Sequence, residues 1–171
     1  MTLKQISLSR GLVALVDDED YDHLNQYSWS ALPAPAGPQY GWYAKTNIRT
    51  TSGKFTTALM HRMLLSADPS VHVDHENGNG LDNQKHNLRT CTRSNNMANR
   101  TKRKASASVH KGVTWNARKG KWIARISHQG KRHHLGEFAN EHKAAQAYNQ
   151  KARELFGEFA RLNNPQEDQP A

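Results

Sequence analysis

Asp74 and His75 stand side by side at the head of VDHENGNGLDNQKHNL, the stretch from Val73 to Leu88. Histidine is the side chain whose ordinary pKa lies nearest neutrality, so it is the usual base for deprotonating water. An aspartate carboxylate is a hard oxygen donor that can hold a divalent cation. Hydrolysis of a phosphodiester needs both. The base activates water, and the cation offsets the negative charge that builds on the phosphate and the leaving oxygen. The base must also keep one tautomer, which an amide or carbonyl on its other ring nitrogen secures. His75 is therefore the candidate base. Asp74 is the candidate anionic ligand of one divalent ion, with Mg²⁺ and Mn²⁺ the hard-oxygen choices.

Something must hold these groups together. Neighbours on a regular strand face opposite sides, so Asp74 and His75 reach one site only where a strand ends. The Gly, Asn and Asp residues from Glu76 onward supply that ending, because they tolerate left-handed backbone. Asn87 opens a returning strand, Asn87 to Thr92, and a hairpin brings it back beside His75. Thr92 or Ser94 can then cap a helix carrying Asn96, whose amide oxygen can complete a metal site. A zinc site built from His72, His75 and His86 conflicts with this oxygen set, and His72 and His86 read as bystanders.

The segment resembles the HNH, or ββα-metal, nuclease motif of phage and intron-encoded homing endonucleases. The resemblance runs through Met60-His61-Arg62, Val73-Asp74-His75, Gly78, Leu81-Asp82-Asn83, Asn87-Leu88-Arg89, Thr92-Arg93-Ser94, Asn96 and Asn99. It covers roughly residues 58–100 and makes the signature an H-N-N variant of His75, Asn87 and Asn96. It implies that His75 is the general base. Asn87 holds the hairpin and orients that base, and Asn96 with Asp74 binds one divalent ion. The role of His61 and Arg62 is left open between phosphate contact and packing.

Two regions flank this one. Residues 1–57 read as a small β-rich unit. A hairpin is expected at Ile6–Ser9 and Leu12–Val16 and an acidic helix over Asp17–Ser28. A Pro/Gly loop over Ala31–Pro38 and a strand pair at Tyr40–Arg49 and Lys54–Leu59 follow. A short helix is expected near Met60–Leu65. The first unit either packs on the nuclease or extends the DNA footprint. A basic, Ser-rich linker, 101–109, precedes a unit at 110–163 with three short strands and a helix over Asn140–Phe156. Asn140 reads as its N-cap and Gly157 as its stop. Trp122, Ala124 and Ile126 alternate with Ile123, Arg125 and Ser127, and His133 and Leu135 with Arg132 and His134, giving one packed and one basic face. Ala144, Ala147, Tyr148 and Leu155 form the helix stripe that covers the packed face.

This last unit resembles the Apetala/ethylene-response-factor DNA-binding domain. The matching residues are Lys111-Gly112-Val113, Lys121-Trp122, Leu135-Gly136, Phe138, Ala144-Ala145, Ala147-Tyr148 and Leu162-Asn163. The resemblance implies a sheet laid in the major groove through Lys111, Thr114, Asn116, Arg118, Arg125, Ser127, Arg132 and His134. Several of these replace the Arg or Trp of the plant domains, so no target sequence carries over.

The composition agrees with a polyanionic partner. Lys and Arg number 24 against 15 Asp and Glu, a formal charge of +9, which favours double-stranded DNA. The sole cysteine, Cys91, excludes an internal disulfide and a Cys-rich zinc site. The start carries no long apolar leader, and no stretch approaches the roughly 20 apolar residues of a membrane span. The reading is a cytoplasmic protein of a bacterial or phage-infected cell, associated with the nucleoid and without a membrane. A monomer is favoured. The expected fold class is α+β: the β-rich unit, the nuclease unit, a three-stranded antiparallel sheet on one helix, and a disordered tail over 164–171. The alternative function is a non-catalytic, sequence-specific DNA-binding regulator.

Overall fold

The computed structural model of the protein describes residues 2–100 and 107–164. Most of the expected linker, with Lys102, Arg103 and Lys104, lies outside the described residues, as does the tail beyond Asn164. The fold is α+β. The chain divides into two compact units, with the boundary between Thr92 and Arg93.

The first unit opens with strands β1, Leu3–Ser7, and β2, Val13–Asp17, paired antiparallel. Ile6 faces Ala14 across this hairpin, and both are buried. Helix α1, Asp18–Leu24, follows directly. Its first turn carries Asp18, Glu19 and Asp20, which suit the positive end of the helix. The helix stops four residues short of the expected Ser28, and Trp29 Nε1 donates to the Leu24 carbonyl at 2.7 Å. Strand β3, Ser30–Pro33, occupies the start of the expected Pro/Gly loop. Pro33 ends the strand, where its missing N–H costs little, and Ala31 is buried. The sheet continues with β4, Trp42–Arg49, and β5, Phe55–Leu59, in the order β3-β4-β5. Helix α2, Met60–Leu64, leads to the two-stranded β6, His72–His75, and β7, Leu88–Cys91.

These elements share one core. Ile6, Leu8, Ala14, Val16, Leu24, Trp29, Ala31, Ala44 and Met60 form it, and Leu81 of the site loop packs against it. The loop is also sewn to the β1–β2 hairpin. Leu15 N–H donates to the Leu81 carbonyl and Asn83 N–H to the Leu15 carbonyl, each at 2.8 Å. The Asp17 carboxylate accepts from Lys85 N–H at 2.7 Å and from Gln84 Nε2 at 3.2 Å. Gly80 is required here, because a Cβ would strike the Trp42 carbonyl and the Tyr43 ring. The first 57 residues therefore build the support of the Asp-His loop.

The second unit begins with helix α3, Arg93–Asn99. Strands β8, Val113–Asn116, β9, Lys121–His128, and β10, Lys131–Phe138, form an antiparallel sheet in the order β10-β9-β8. Helix α4, Glu141–Phe156, packs on it. Asn140 Oδ1 accepts from Lys143 N–H at 3.1 Å, and Gly157, at φ 53°, ends the helix. Ala144, Ala145, Tyr148, Ala152 and Phe156 are buried, so the stripe is turned slightly from the expected Ala147 and Leu155. Asn163 ties the end of the unit to its start: Oδ1 accepts from Lys111 N–H at 2.6 Å and Nδ2 donates to the Lys111 carbonyl at 3.0 Å. The division differs from the nuclease span of 58–100 read from the sequence, because α3 packs within the second unit. Its Ala98 is buried with Ile126, Tyr148, Ala152 and Phe156.

Candidate active site

β6 ends on His75, and the turn starts at once: Gly78 N–H donates to the His75 carbonyl at 2.9 Å. Asp74 and His75 are both buried, at 6% and 5% exposure. In the β6–β7 ladder Asp74 faces Arg89 and His75 faces Leu88. Arg89 donates to Asp74 Oδ2 from Nε at 3.2 Å and from Nη2 at 3.1 Å, and its Nη1 lies 3.7 Å from Glu76. Two donors on one buried carboxylate oxygen make this a charge-assisted pair.

The amide beside the imidazole belongs to Asn83, not Asn87. His75 Nε2 and Asn83 Oδ1 are 3.4 Å apart, a long contact between buried groups. An acceptor at Nε2 favours the tautomer protonated there, which puts the basic lone pair on Nδ1. Burial lowers the His75 pKa below its ordinary value, while Asn83, Asp74 and Asp82 act against that shift. The imidazole is therefore held in its basic, uncharged form at neutral pH.

Asn87 does what the hairpin requires. Its Nδ2 donates to the Asp82 carbonyl at 2.7 Å, its Oδ1 accepts from Asn77 N–H at 3.0 Å, and its carbonyl accepts from Glu76 N–H at 2.9 Å. Asn77 Nδ2 in turn donates to Asp82 Oδ2 at 2.7 Å. Asn87 thus fixes the loop that carries Asn83, and orients His75 only through it.

His61 is the second buried histidine near His75, at 6% exposure. The two rings meet edge-to-face, with centroids 4.9 Å apart, and Tyr43 touches both. Arg62 is occupied structurally: it donates to the carbonyls of Val71, Ala67 and Asp68 at 2.8, 3.3 and 2.6 Å. That resolves its open role toward packing. Asn83, Arg89 and His61 all lie in the quoted motif, but residue types alone gave them no role. Tyr43 lies outside it, and only the fold brings it to the site.

The metal ligands expected from the sequence stand in different units: Asp74 on β6 and Asn96 on α3. Among the described residues, no group of three or more His, Cys, Asp or Glu is arranged to hold a metal ion. The local donor chemistry still fits a hard cation. Mg²⁺ is commonly held by one or two carboxylates with substrate phosphates supplying further ligands, and Asp74 is such a carboxylate, with Arg89 balancing its charge in the protein alone.

In the second unit, the ladder places Thr114, Asn116, Arg125, Ser127, Arg132 and His134 on one sheet face. Thr114, Arg125, Ser127, Arg132 and His134 are exposed. Arg118 lies in the turn between β8 and β9, where Asn116 Oδ1 accepts from its N–H at 3.1 Å. Lys111 is not on this face. Its ammonium donates to the Ala98 carbonyl and, at 2.7 Å, to the Arg100 carbonyl, at the C-terminal end of α3. Burial, with Arg161 and Arg100 nearby, lowers its pKa to about 8. Lys111 precedes β8, so strand alternation could not place it.

No family model matches the chain. It is 31% identical over 135 residues to a protein of Acanthamoeba polyphaga mimivirus named Uncharacterized HNH endonuclease L560, covering 75% of this chain and 70% of that one. It is 31% identical over 91 residues to Protein 3.8 of Escherichia phage T7, covering 53% of this chain and 74% of that protein. With its hairpin ending on an Asp-His pair and this relative, the chain belongs to the HNH endonuclease family. Among the described residues, no helix is long and apolar enough to cross a membrane.

Proposed function

We infer that the protein is a metal-dependent DNA endonuclease of the homing type that hydrolyses phosphodiester bonds. The observation that carries this reading is the buried His75, its Nε2 on the Asn83 carbonyl oxygen at the end of β6, next to Asp74. His75 takes a proton from the attacking water through Nδ1. Asp74 holds one Mg²⁺ or Mn²⁺, which when bound offsets charge on the phosphate and the leaving oxygen. Asn96 enters the ligand set on sequence grounds alone. The relative named an HNH endonuclease supports nuclease chemistry.

The second unit acts as the DNA-binding domain, with Arg125, Arg132, His134, Thr114 and Ser127 toward the duplex. In the first unit, the β4–β5 hairpin widens the footprint. The stretch from Trp42 to Leu59 holds Lys45, Arg49 and Lys54 and no acid, and Phe55 near its tip is 75% exposed.

The Asp74–Arg89 pair supports a second reading, in which the motif is kept only as a fold element of a DNA-binding regulator. Supercoiled-plasmid cleavage with Mg²⁺ separates the two. The nuclease reading expects nicked or linear product that EDTA abolishes. It also expects a loss of about 10²-fold or more in His75→Ala, the usual worth of a general base. Asp74→Asn, which keeps an acceptor for Arg89, is expected to bind DNA, fold and not cut. Equal cleavage by wild type and His75→Ala would remove the base assignment. A folded wild type that binds DNA and leaves the plasmid intact would favour the regulator. One active site in a monomer predicts mainly nicked product.

A further inference from the structure

His61 has no task in the reaction derived above, yet it is costly to keep. It is 6% exposed, and its Nδ1 is buried without a hydrogen-bond partner among the described residues. A buried polar atom left in this state costs stability, and a phenylalanine at the position would avoid the cost. What the ring does touch is His75. The centroids are 4.9 Å apart and the planes cross at 78°. In that arrangement the electropositive edge of one ring meets the electron-rich face of the other, and an imidazole N–H can serve as the edge. Tyr43 closes the triangle, with its ring 5.6 Å from His61 and 5.9 Å from His75.

We propose that His61 is a positioning residue for the cleavage reaction, its aromatic edge-to-face contact holding the His75 ring in the orientation in which Asn83 receives one nitrogen and the other is aimed at water. The inference rests on the reading of His75 as the base. The contact with Asn83 is long, at 3.4 Å, and by itself permits some swing of the ring about the Cβ–Cγ bond. A second ring, set nearly at right angles, restrains that swing. The two elements that carry the rings are anchored separately, His61 on α2 and His75 on β6. Met60, the neighbour of His61, is fully buried in the core of the unit, so α2 holds its ring on a fixed base.

The chemistry of His61 also separates its role from that of His75. Burial, followed by the nearby His75 and Arg62, lowers its pKa to about 3. A group so weakly basic takes no proton from water near neutrality, and it sets no competing cation beside the base. Orientation remains as the contribution that the contact geometry supports.

The experiment compares His61→Leu with His61→Phe in single-turnover cleavage of supercoiled plasmid, with plasmid affinity and thermal melting measured on each. Leucine fills much of the space without an aromatic edge, and phenylalanine restores the edge without nitrogen. The expected result is a fall of about tenfold in the cleavage rate of His61→Leu, the scale of one lost orienting contact. DNA affinity should be unchanged, and His61→Phe should recover most of the rate. Both variants should melt cooperatively, with His61→Phe no less stable than wild type. The proposal is overturned if the two variants cleave equally. Full activity in both makes His61 packing only, and equal loss in both makes its nitrogen a chemical participant. A loss confined to affinity also overturns it. A wild type that cuts no DNA removes the nuclease reading and this inference together. A cutting wild type with equal variants removes this inference alone.

Discussion

At the scale of single residues, two buried imidazoles set how the first unit responds to acid. His61 has a pKa near 3 when folded against 6.5 in the open chain, and His75 is shifted in the same direction. Between these values the unfolded chain binds more protons. The stability His61 contributes is therefore present above about pH 6.5 and is lost as pH falls toward 3, at roughly 1.4 kcal/mol per pH unit, and His75 adds to the loss in the same direction. Urea midpoints at neutral and mildly acid pH should show wild type losing stability faster than His61→Phe. Equal loss in both proteins would place the acid sensitivity in other groups. The two asparagines of the loop make a second residue-scale expectation. Asn87→Ala removes bonds to Asp82 and Asn77 and should destabilise the unit by about 1–3 kcal/mol. Asn83→Ala strips the acceptor from His75 and should lower the cleavage rate more than the melting temperature. The reverse ranking would return the orienting role to Asn87. The identity and neighbourhood of the Asp-His pair were legible in the sequence, because few other side chains supply a neutral base and a hard oxygen donor together. The partner of each was not. Asn83 and Asn87 have the same chemistry, and only the path of the turn decides which amide reaches the ring.

At the scale of elements, periodicity carried furthest where one face is buried. The alternation in β9 and β10 put Trp122, Ala124 and Ile126 opposite Arg125 and Ser127, and the ladder has that arrangement. Local composition misled where tertiary contacts decide. Ala31–Pro38 looks like a loop by its Ala, Pro and Gly, yet Ala31 and Leu32 pair with Ala44 and Tyr43. The resemblance to the plant domain puts Lys111 on the groove face, yet its ammonium is engaged by the carbonyls that end α3. The face assignment yields a mutational test. Arg125→Ala should leave the unit folded and weaken DNA binding by about 1–3 kcal/mol if the guanidinium reads a base. Trp122→Ala should instead lower the melting temperature, because Trp122 packs against the cluster of Val113, Ala124, Ala144 and Ala145. Circular dichroism with a binding titration checks both, and unfolding by Arg125→Ala alone would invert the faces.

At the scale of the whole molecule, charge and core divide in the same place. Residues 1–92 carry 8 Lys and Arg against 9 Asp and Glu, whereas residues 93–171 carry 16 against 6. The core around Leu24 and Met60 lies within the first stretch, and the cores around Tyr148 and Ala144 lie within the second. Each stretch therefore has the means to fold alone, and the second holds 16 of the 24 Lys and Arg and all of the net positive charge. Phosphate contacts release counterions, so log affinity should fall linearly with log salt, with a slope of about −0.9 per contact. The fragment 93–171 should bind a labelled duplex with nearly the slope of the full chain. The fragment 1–92, close to neutral, should bind far more weakly, through contacts such as Arg49 and Lys54, and with a shallow slope. Fluorescence anisotropy across a salt series measures all three. The fragment 93–171 is expected to bind competently and cut nothing, since it lacks Asp74 and His75. If the fragment 1–92 bound as tightly as the full chain at low salt, net charge would not be the source of affinity, and the basic sheet face would lose its assigned role.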